Sequence, residues 1–204
     1  MSVELSTEHR ALGEVIRGRR SIRKLTREPE IGRERIARAV SLALHAPSSF
    51  NMQSGRLVVL TGKSHQKLWD IVLETLRAEA PPENLGSTEQ RLQGFASGAG
   101  TILVFEDQAV VRGWQGKVPL YRNHFPDWSL QASGMLQYAL WLALSADGIG
   151  ASLQHYNPLI DDAVKRTWGL PEEWRLIAQM PFGIPAEAPE APQHLPVDDV
   201  VRWA

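Results

Sequence analysis

His45-Ala-Pro-Ser-Ser-Phe-Asn-Met-Gln-Ser-Gly-Arg-Leu-Val-Val-Leu-Thr-Gly62 carries the chain out of a helix, through a polar loop and into an apolar strand. Pro47 ends the helix, because proline lacks an N–H and its ring clashes with the preceding turn. Residues 57–60, Leu-Val-Val-Leu, are apolar at every position and closed by Thr61-Gly62, which predicts a strand covered on both faces. Between helix and strand, Ser48, Ser49, Asn51 and Gln53 put hydroxyls and carboxamides into one short turn. Such groups satisfy their own backbone in turns, and they equally hydrogen-bond a flat polar ligand without adding charge. At this level both readings stand.

Working outward, Ile36, Ala39, Val40, Ala43 and Leu44 follow helical spacing into the loop. Leu5, Leu12, Val15 and Ile16, behind Ser6-Thr7, predict a first helix to about Arg17. Downstream, Ser64 is the expected cap of a helix carrying Leu68, Trp69, Ile71, Val72 and Leu76. A loop, Pro81-Pro-Glu-Asn-Leu-Gly86, precedes a short helix capped by Thr88 and ending at Phe95. Residues 101–105, Thr-Ile-Leu-Val-Phe, form a second buried strand, and Asp107 is placed to cap the next helix. Tyr121, Phe125 and Trp128 are expected to cluster in a loop.

Residues 130–146 are apolar nearly all round, which predicts a helix buried on every side, in a large core or a dimer interface. Gly148-Ile-Gly150 ends it, and a short strand follows at 151–153. Asn157-Pro158 reads as an N-cap with proline at the first helical position, and Gly169 and Pro171 close that helix. Residues 175–180 form a last core strand, and Pro185, Pro189, Pro192 and Pro196 mark an extended C-terminal arm from about 184. Helices interleave with few strands, so the expected class is α+β, one domain over 1–204 with a small mixed or antiparallel sheet covered by helices.

A chain of 204 residues with 43% hydrophobic and 22% charged content is long enough for one sizeable core and short for two. A formal charge of -1 argues against broad nucleic-acid binding. The absence of cysteine removes disulfides and thiolate chemistry and fits a cytoplasmic location. No secretory leader is visible, and the longest apolar run, around 135–144, is too short to span a bilayer, so no membrane partner is expected.

Arg17, Arg19, Arg20, Arg23 and Lys24 surround Ser21 and could hold a phosphate by charge-assisted hydrogen bonds. A helix C-terminus also favours cations, which leaves a purely structural reading open. Neither Gly98-Ala-Gly100 nor Gly148-Ile-Gly150 has the strand, third glycine and helix of a dinucleotide fingerprint, so both read as turns. No metal-spaced histidine pair appears, and no metal site is expected. Gln154-His155-Tyr156-Asn157-Pro158 joins a strand end to a helix start, where free backbone N–H groups could address an electron-accepting ring. No catalytic side chain stands out as nucleophile or paired acid and base, which favours chemistry carried by a cofactor.

Taken together, Arg19-Arg-Ser-Ile-Arg23, Ala46-Pro-Ser-Ser-Phe-Asn-Met-Gln53, Gly148-Ile-Gly-Ala-Ser-Leu-Gln-His-Tyr-Asn-Pro158 and Gln179-Met-Pro-Phe-Gly183 resemble the FMN-dependent nitroreductase family. Gln53-Ser-Gly-Arg56, Phe105-Glu-Asp-Gln-Ala109 and Gln154 to Pro158 are similar to its fatty-acid-repression-mutant subgroup. The resemblance implies the nitroreductase-like fold in an intertwined homodimer, with FMN bound at the interface by both subunits. It implies that Arg19, Arg20, Ser21 and Arg23 hold the phosphate, ribityl chain and pyrimidine edge. Pro47, Ser48, Ser49, Asn51 and Gln53 would meet the ring from the other subunit, and Gln154 and the backbone of His155 and Tyr156 would lie near flavin N5. Where family members have a basic pair near the C-terminus, this chain offers Arg202.

The implied activity is hydride transfer from NAD(P)H to FMN and onward to a nitroaromatic or quinone, both substrates using one flavin face in a ping-pong mechanism. A non-catalytic flavin-binding redox sensor and a phosphate or nucleic-acid binder using residues 17–24 are the competing expectations.

Overall fold

The computed structural model describes residues 7–79, 85–189 and 191–204. Leu5, Ser6 and residues 81–84 of the predicted loop lie outside them.

The sheet is built around β3 (Gly100–Asp107), which is buried at every position but the last. β3 pairs antiparallel with β2 (Gly55–Thr61) on one side and β5 (Trp174–Pro185) on the other, and β5 also takes β1 (Leu25–Thr26) and β4 (Gly150–Ala151) antiparallel. Alternation along β3 separates two cores. Leu103 and Phe105 pack with Leu68 and Val72 of α3 (Gly62–Glu79), Phe95 of α4 (Leu85–Ala96) and Val164 of α7 (Asp161–Trp168). Ile102 packs on the opposite face with Ile36 and Ala43 of α2 (Arg33–Ala43) and Leu140 and Leu144 of α6 (Phe125–Ala146). Each such buried side chain contributes roughly 1.5–3 kcal/mol. α1 (Thr7–Gly18), α5 (Gln108–Lys117) and a short α8 (Val197–Val200) complete the chain. The α+β expectation is met, and no helix of the described residues is long and apolar enough to cross a membrane.

Several local expectations shift. β2 is a sheet edge rather than a strand covered on both faces, and Val59 is 43% exposed. α3 begins at Gly62, whose φ of +52° turns the strand directly into the helix, so Ser64 falls inside the first turn instead of capping it. α4 begins at Leu85, which places Thr88 within it. α7 begins at Asp161, and Asn157 Oδ1 accepts from Gln179 Nε2 at 3.2 Å rather than from a helix N-terminus. Asp107 does cap α5, accepting from the N–H groups of Ala109 and Val110 at 3.0 and 3.4 Å. The aromatic residues at 121–128 cluster but not in a loop: Tyr121 lies in a 3-10 helix (Pro119–His124), and Phe125 and Trp128 are in α6. α6 is not covered all round in one chain, because it buries one face on the sheet and leaves Leu130, Met135 and Tyr138 exposed. β4 is shorter than the predicted 151–153, and β5 runs past 180 to Pro185.

Candidate functional site

The cationic segment starts where α1 stops. Arg20 Nη1 donates to the carbonyls of Arg17 and, at 2.7 Å, Arg19, so much of this guanidinium serves the helix end. Arg19 turns inward and stacks 4.2 Å from the Trp141 ring centroid, a cation–π contact. Arg19 Nη1 and Trp141 Nε1 are both buried without a hydrogen-bond partner. A buried donor left unpaired costs roughly 1–3 kcal/mol, and two together fit an anionic or carbonyl-rich ligand. Trp141 escapes sequence reading because it sits among the apolar residues of α6, where its N–H carries no periodic signal. Ser21 forms a parallel bridge with Ala151, and Ile22 N–H donates to the Ala151 carbonyl at 3.0 Å. The cation segment therefore lies beside β4, the strand that leads to Gln154; the side chains of Ser21 and Arg23 are exposed.

That corner is organised by Gln179 of β5, itself fully buried. Gln154 and Gln179 exchange backbone hydrogen bonds at 2.7 and 2.9 Å, and Gln154 Nε2 donates to Ser152 Oγ at 3.1 Å. Gln179 Oε1 accepts the Tyr156 N–H at 2.7 Å. The expectation of free donors at a helix start is thus corrected: no helix begins at Asn157, and the Tyr156 N–H is spent internally. The His155 N–H has no partner among the described residues, and His155 is exposed. The Tyr156 ring packs edge-on against Trp69 with centroids 6.0 Å apart, and burial raises its hydroxyl pKa.

The loop at 47–53 has a backbone that an ordinary turn does not need. Phe50, Asn51 and Gln53 take left-handed φ values of 55°, 52° and 48°. For non-glycine residues each costs on the order of 1 kcal/mol, and such strain gathers at functional sites. Local bonds hold it: Asn51 N–H to Ser48 O at 2.8 Å, Met52 N–H to Ser49 O at 3.1 Å, and Gln53 N–H to Ser48 Oγ at 3.0 Å. Met52 is buried with Val111 and Phe125, while Phe50 stays half-exposed, 5.6 Å from the rings of Trp114 and Phe125 and 6.1 Å from Trp128. Pro47, Ser48 and Gln53 line a small cavity with Ser54, Glu106 and Leu136. Ser49 is half-buried.

Within one chain no described hydrogen bond, ion pair or ring contact joins this loop to Arg19 or to the Gln154 corner. Arg202 is exposed beyond α8 and makes no described contact with residues 19–23. A cleft of about 920 Å³ lined by Arg27, Arg33, Val59 and Gln66 contains none of the expected site residues. Val59 and Thr61 of the edge strand β2 form part of its wall.

The profile described as Nitroreductase family matches residues 16–184. The nitroreductase FRM2 of Saccharomyces cerevisiae is 31% identical over 181 residues, 86% of this chain and 88% of the yeast protein. Among solved structures, nitroreductase CinD from Lactococcus lactis in complex with nicotinic acid has a TM-score of 0.86 at 40% identity, covering 96% of this chain and 98% of CinD. CinD was also solved in complex with chloramphenicol and with 4-nitrophenol. A nitroreductase with bound FMN from Desulfitobacterium hafniense shares the fold at TM-score 0.72 and 21% identity, covering 95% of this chain and 98% of that one.

Proposed function

Because this chain belongs to the nitroreductase family, we propose that it is an FMN-dependent oxidoreductase that passes electrons from NAD(P)H to nitroaromatic or quinone-type acceptors. Bound FMN supplies the redox-active ring, chemistry that no side chain of the site provides. The carrying observation is the buried, unpaired Arg19 Nη1 beside Trp141, next to the Ser21–Ala151 junction. This is a donor set awaiting an anionic, acceptor-rich ligand, and it fits FMN.

In this reading Arg19, with Ser21, Arg23 and the remaining capacity of Arg20, holds the phosphate, ribityl chain and pyrimidine edge. Of the corner residues, His155 offers its free N–H toward N5, while Gln154 and Tyr156 shape the corner. Oriented donors of this kind stabilise developing negative charge without reorganising. The neutral loop of Pro47, Ser48, Ser49, Asn51 and Gln53 meets the ring from a second copy, a reading supported by its lack of contact with Arg19 in one chain. Arg202 closes the phosphate end. The whole chain then acts as one cofactor-binding unit whose proline-rich arm wraps its partner, working in the cytoplasm in a homodimer. Phe50, Trp114, Tyr121 and Trp128 supply an aromatic surface for a flat acceptor, and the nitroaromatic complexes of CinD support that class.

The visible spectrum of the purified protein tests the proposal. A flavin band that bleaches on adding NADH or NADPH and returns with 4-nitrophenol is the expected result. A colourless protein that takes up no added FMN overturns it. A flavin band that no nicotinamide bleaches leaves the redox-sensor function in its place.

A further inference from the structure

We propose that Glu106 is the positioning residue of the loop at 47–53, its buried carboxyl anchoring the loop's exit so that Ser48, Asn51 and Gln53 are held toward their ligand. The ligand's identity as FMN rests on the proposed function; the anchoring does not.

Glu106 is 1% exposed near the end of β3. Its Oε2 accepts from Ser54 Oγ at 2.5 Å, and the hydroxyls of Ser129 and Ser133 on α6 lie close enough to lower its pKa, Ser129 Oγ itself donating to the Pro126 carbonyl at 3.1 Å. Gln137 Nε2 donates to Ser133 Oγ at 3.1 Å, which leaves that hydroxyl's own proton free for another acceptor. Ser54 Oγ on the buried carboxyl, with the Ser129 and Ser133 hydroxyls nearby, makes a polar nest that a packing role alone does not require. Ser54 immediately follows the left-handed Gln53, and its carbonyl accepts the Asp107 N–H at 2.9 Å. Arg56, paired with Asp107 Oδ2 at 3.1 Å, donates to the Gln53 carbonyl at 2.8 Å. Two adjacent acidic residues therefore grip residues 53 and 54 through side chain and backbone together. Asp107 also caps α5, which carries Trp114 against Phe50, so the far side of the loop is tied to the same point.

Gly55 completes the device. It pairs with Glu106 in the sheet, and a Cβ there would stand 2.7 Å from Leu136 Cδ2, so glycine lets the strand press Ser54 down onto the carboxyl. The restraint is needed because three left-handed residues in four relax unless their surroundings over-determine them.

The charged groups around Glu106 are few. Arg56 on β2 acts on it electrostatically, Asp107 follows it on β3, Arg175 is its register partner on β5, and α6 presents only hydroxyls and Gln137. Burial raises the carboxyl's pKa, and the hydroxyls and Arg56 lower it without cancelling that rise. The fold thus favours the protonated carboxyl more than the unfolded chain does, and the stability this group contributes is full below the ordinary glutamate range and falls as pH rises through the raised value.

Amide hydrogen exchange on the full chain, corrected for intrinsic pH dependence, tests this together with FMN titration. In Ser54→Ala and Glu106→Leu, the amides of Asn51, Met52 and Gln53 are expected to lose about tenfold in protection while α3 keeps its own. Glu106→Gln, which keeps an acceptor oxygen for Ser54 Oγ and cannot ionise, is expected to keep that protection. Unchanged protection at 51–53 in Ser54→Ala, or an equal loss across α3, overturns the proposal, as does a Glu106→Gln variant that loses protection as fully as Glu106→Leu. Ser54→Ala keeps the test open if Glu106→Leu does not fold. Exchange reads the cofactor-free chain, so a protein that binds no FMN sinks the flavin proposal while the anchoring is still decided by exchange.

Discussion

Gln179 Oε1 accepts the Tyr156 N–H at 2.7 Å, and the same side chain donates to Asn157 Oδ1 at 3.2 Å, so one buried amide sets two consecutive residues of the corner. Gln179→Leu leaves a backbone N–H and a carboxamide oxygen without partners. The expected loss is about 1–3 kcal/mol for each group that stays buried, read from urea denaturation of the cofactor-free protein. Wild-type stability in this variant would show that the bond is dispensable.

Arg19 and Arg20 are neighbours with unequal tasks. Because Arg19 Nη1 is unpaired and Arg20 Nη1 already caps α1, Arg19→Ala should weaken FMN binding by one to two decades, about 1.5–3 kcal/mol, and Arg20→Ala by less. Fluorescence titration with FMN separates them. Equal affinity in wild type and Arg19→Ala would remove the phosphate and pyrimidine role from this residue.

His65 is buried, with Nδ1 3.0 Å from Thr101 Oγ1 and Nε2 3.2 Å from the Ala96 carbonyl, and desolvation lowers its pKa to about 4. Its neutral form is favoured in the fold, so the unfolded chain takes up the proton first as pH falls. Stability should be full above about pH 6.5 and decline toward pH 4 by on the order of 3 kcal/mol from this group. Denaturation midpoints measured across that window in wild type and His65→Gln check it, since the variant lacks this part of the slope.

If both substrates use one open flavin face, initial rates with NADH or NADPH varied at several fixed acceptor concentrations give parallel double-reciprocal lines. Intersecting lines would require both substrates to be bound together and would end the ping-pong reading. Phe50→Ala should raise KM for 4-nitrophenol several-fold with the FMN content unchanged, because it removes the half-exposed centre of the aromatic surface.

α6 leaves Leu130, Met135 and Tyr138 exposed, α1 leaves Leu12 and Ile16, and α2 leaves Leu42, with Leu44 at its end. Apolar side chains on three helices are more than a lone surface usually carries, and a second copy would cover them. Sedimentation at micromolar concentration is expected to give the dimer mass, and Met135→Glu with Tyr138→Glu is expected to shift it toward the monomer. Wild type sedimenting as a monomer would count against the shared cofactor site.

Much of the fold was legible from local signals. The spacing of Ile36, Ala39 and Ala43 marks the buried face of α2, the apolar run at 101–105 marks the central strand, and Asp107 marks its helix, because periodicity and capping are properties of neighbouring residues. Starts read from Ser64, Thr88 and Asn157 moved because other forces override a cap preference: a glycine turn at Gly62, and a competing partner for Asn157 in Gln179.

The motifs of the chain, through the family resemblance they carry, led to the expectation that Arg19, the 47–53 loop and the Gln154 corner serve one site. Which of their groups are free was decided only in three dimensions. Arg19 is unpaired because Trp141, far along the sequence, offers it a ring and no acceptor. The Tyr156 N–H is occupied because β5 places Gln179 beside it, and the loop is anchored because the β2–β3 register sets Ser54 against Glu106. Hydrogen-bond satisfaction depends on partners brought together by strand register and helix packing, and no local pattern of residues carries that information.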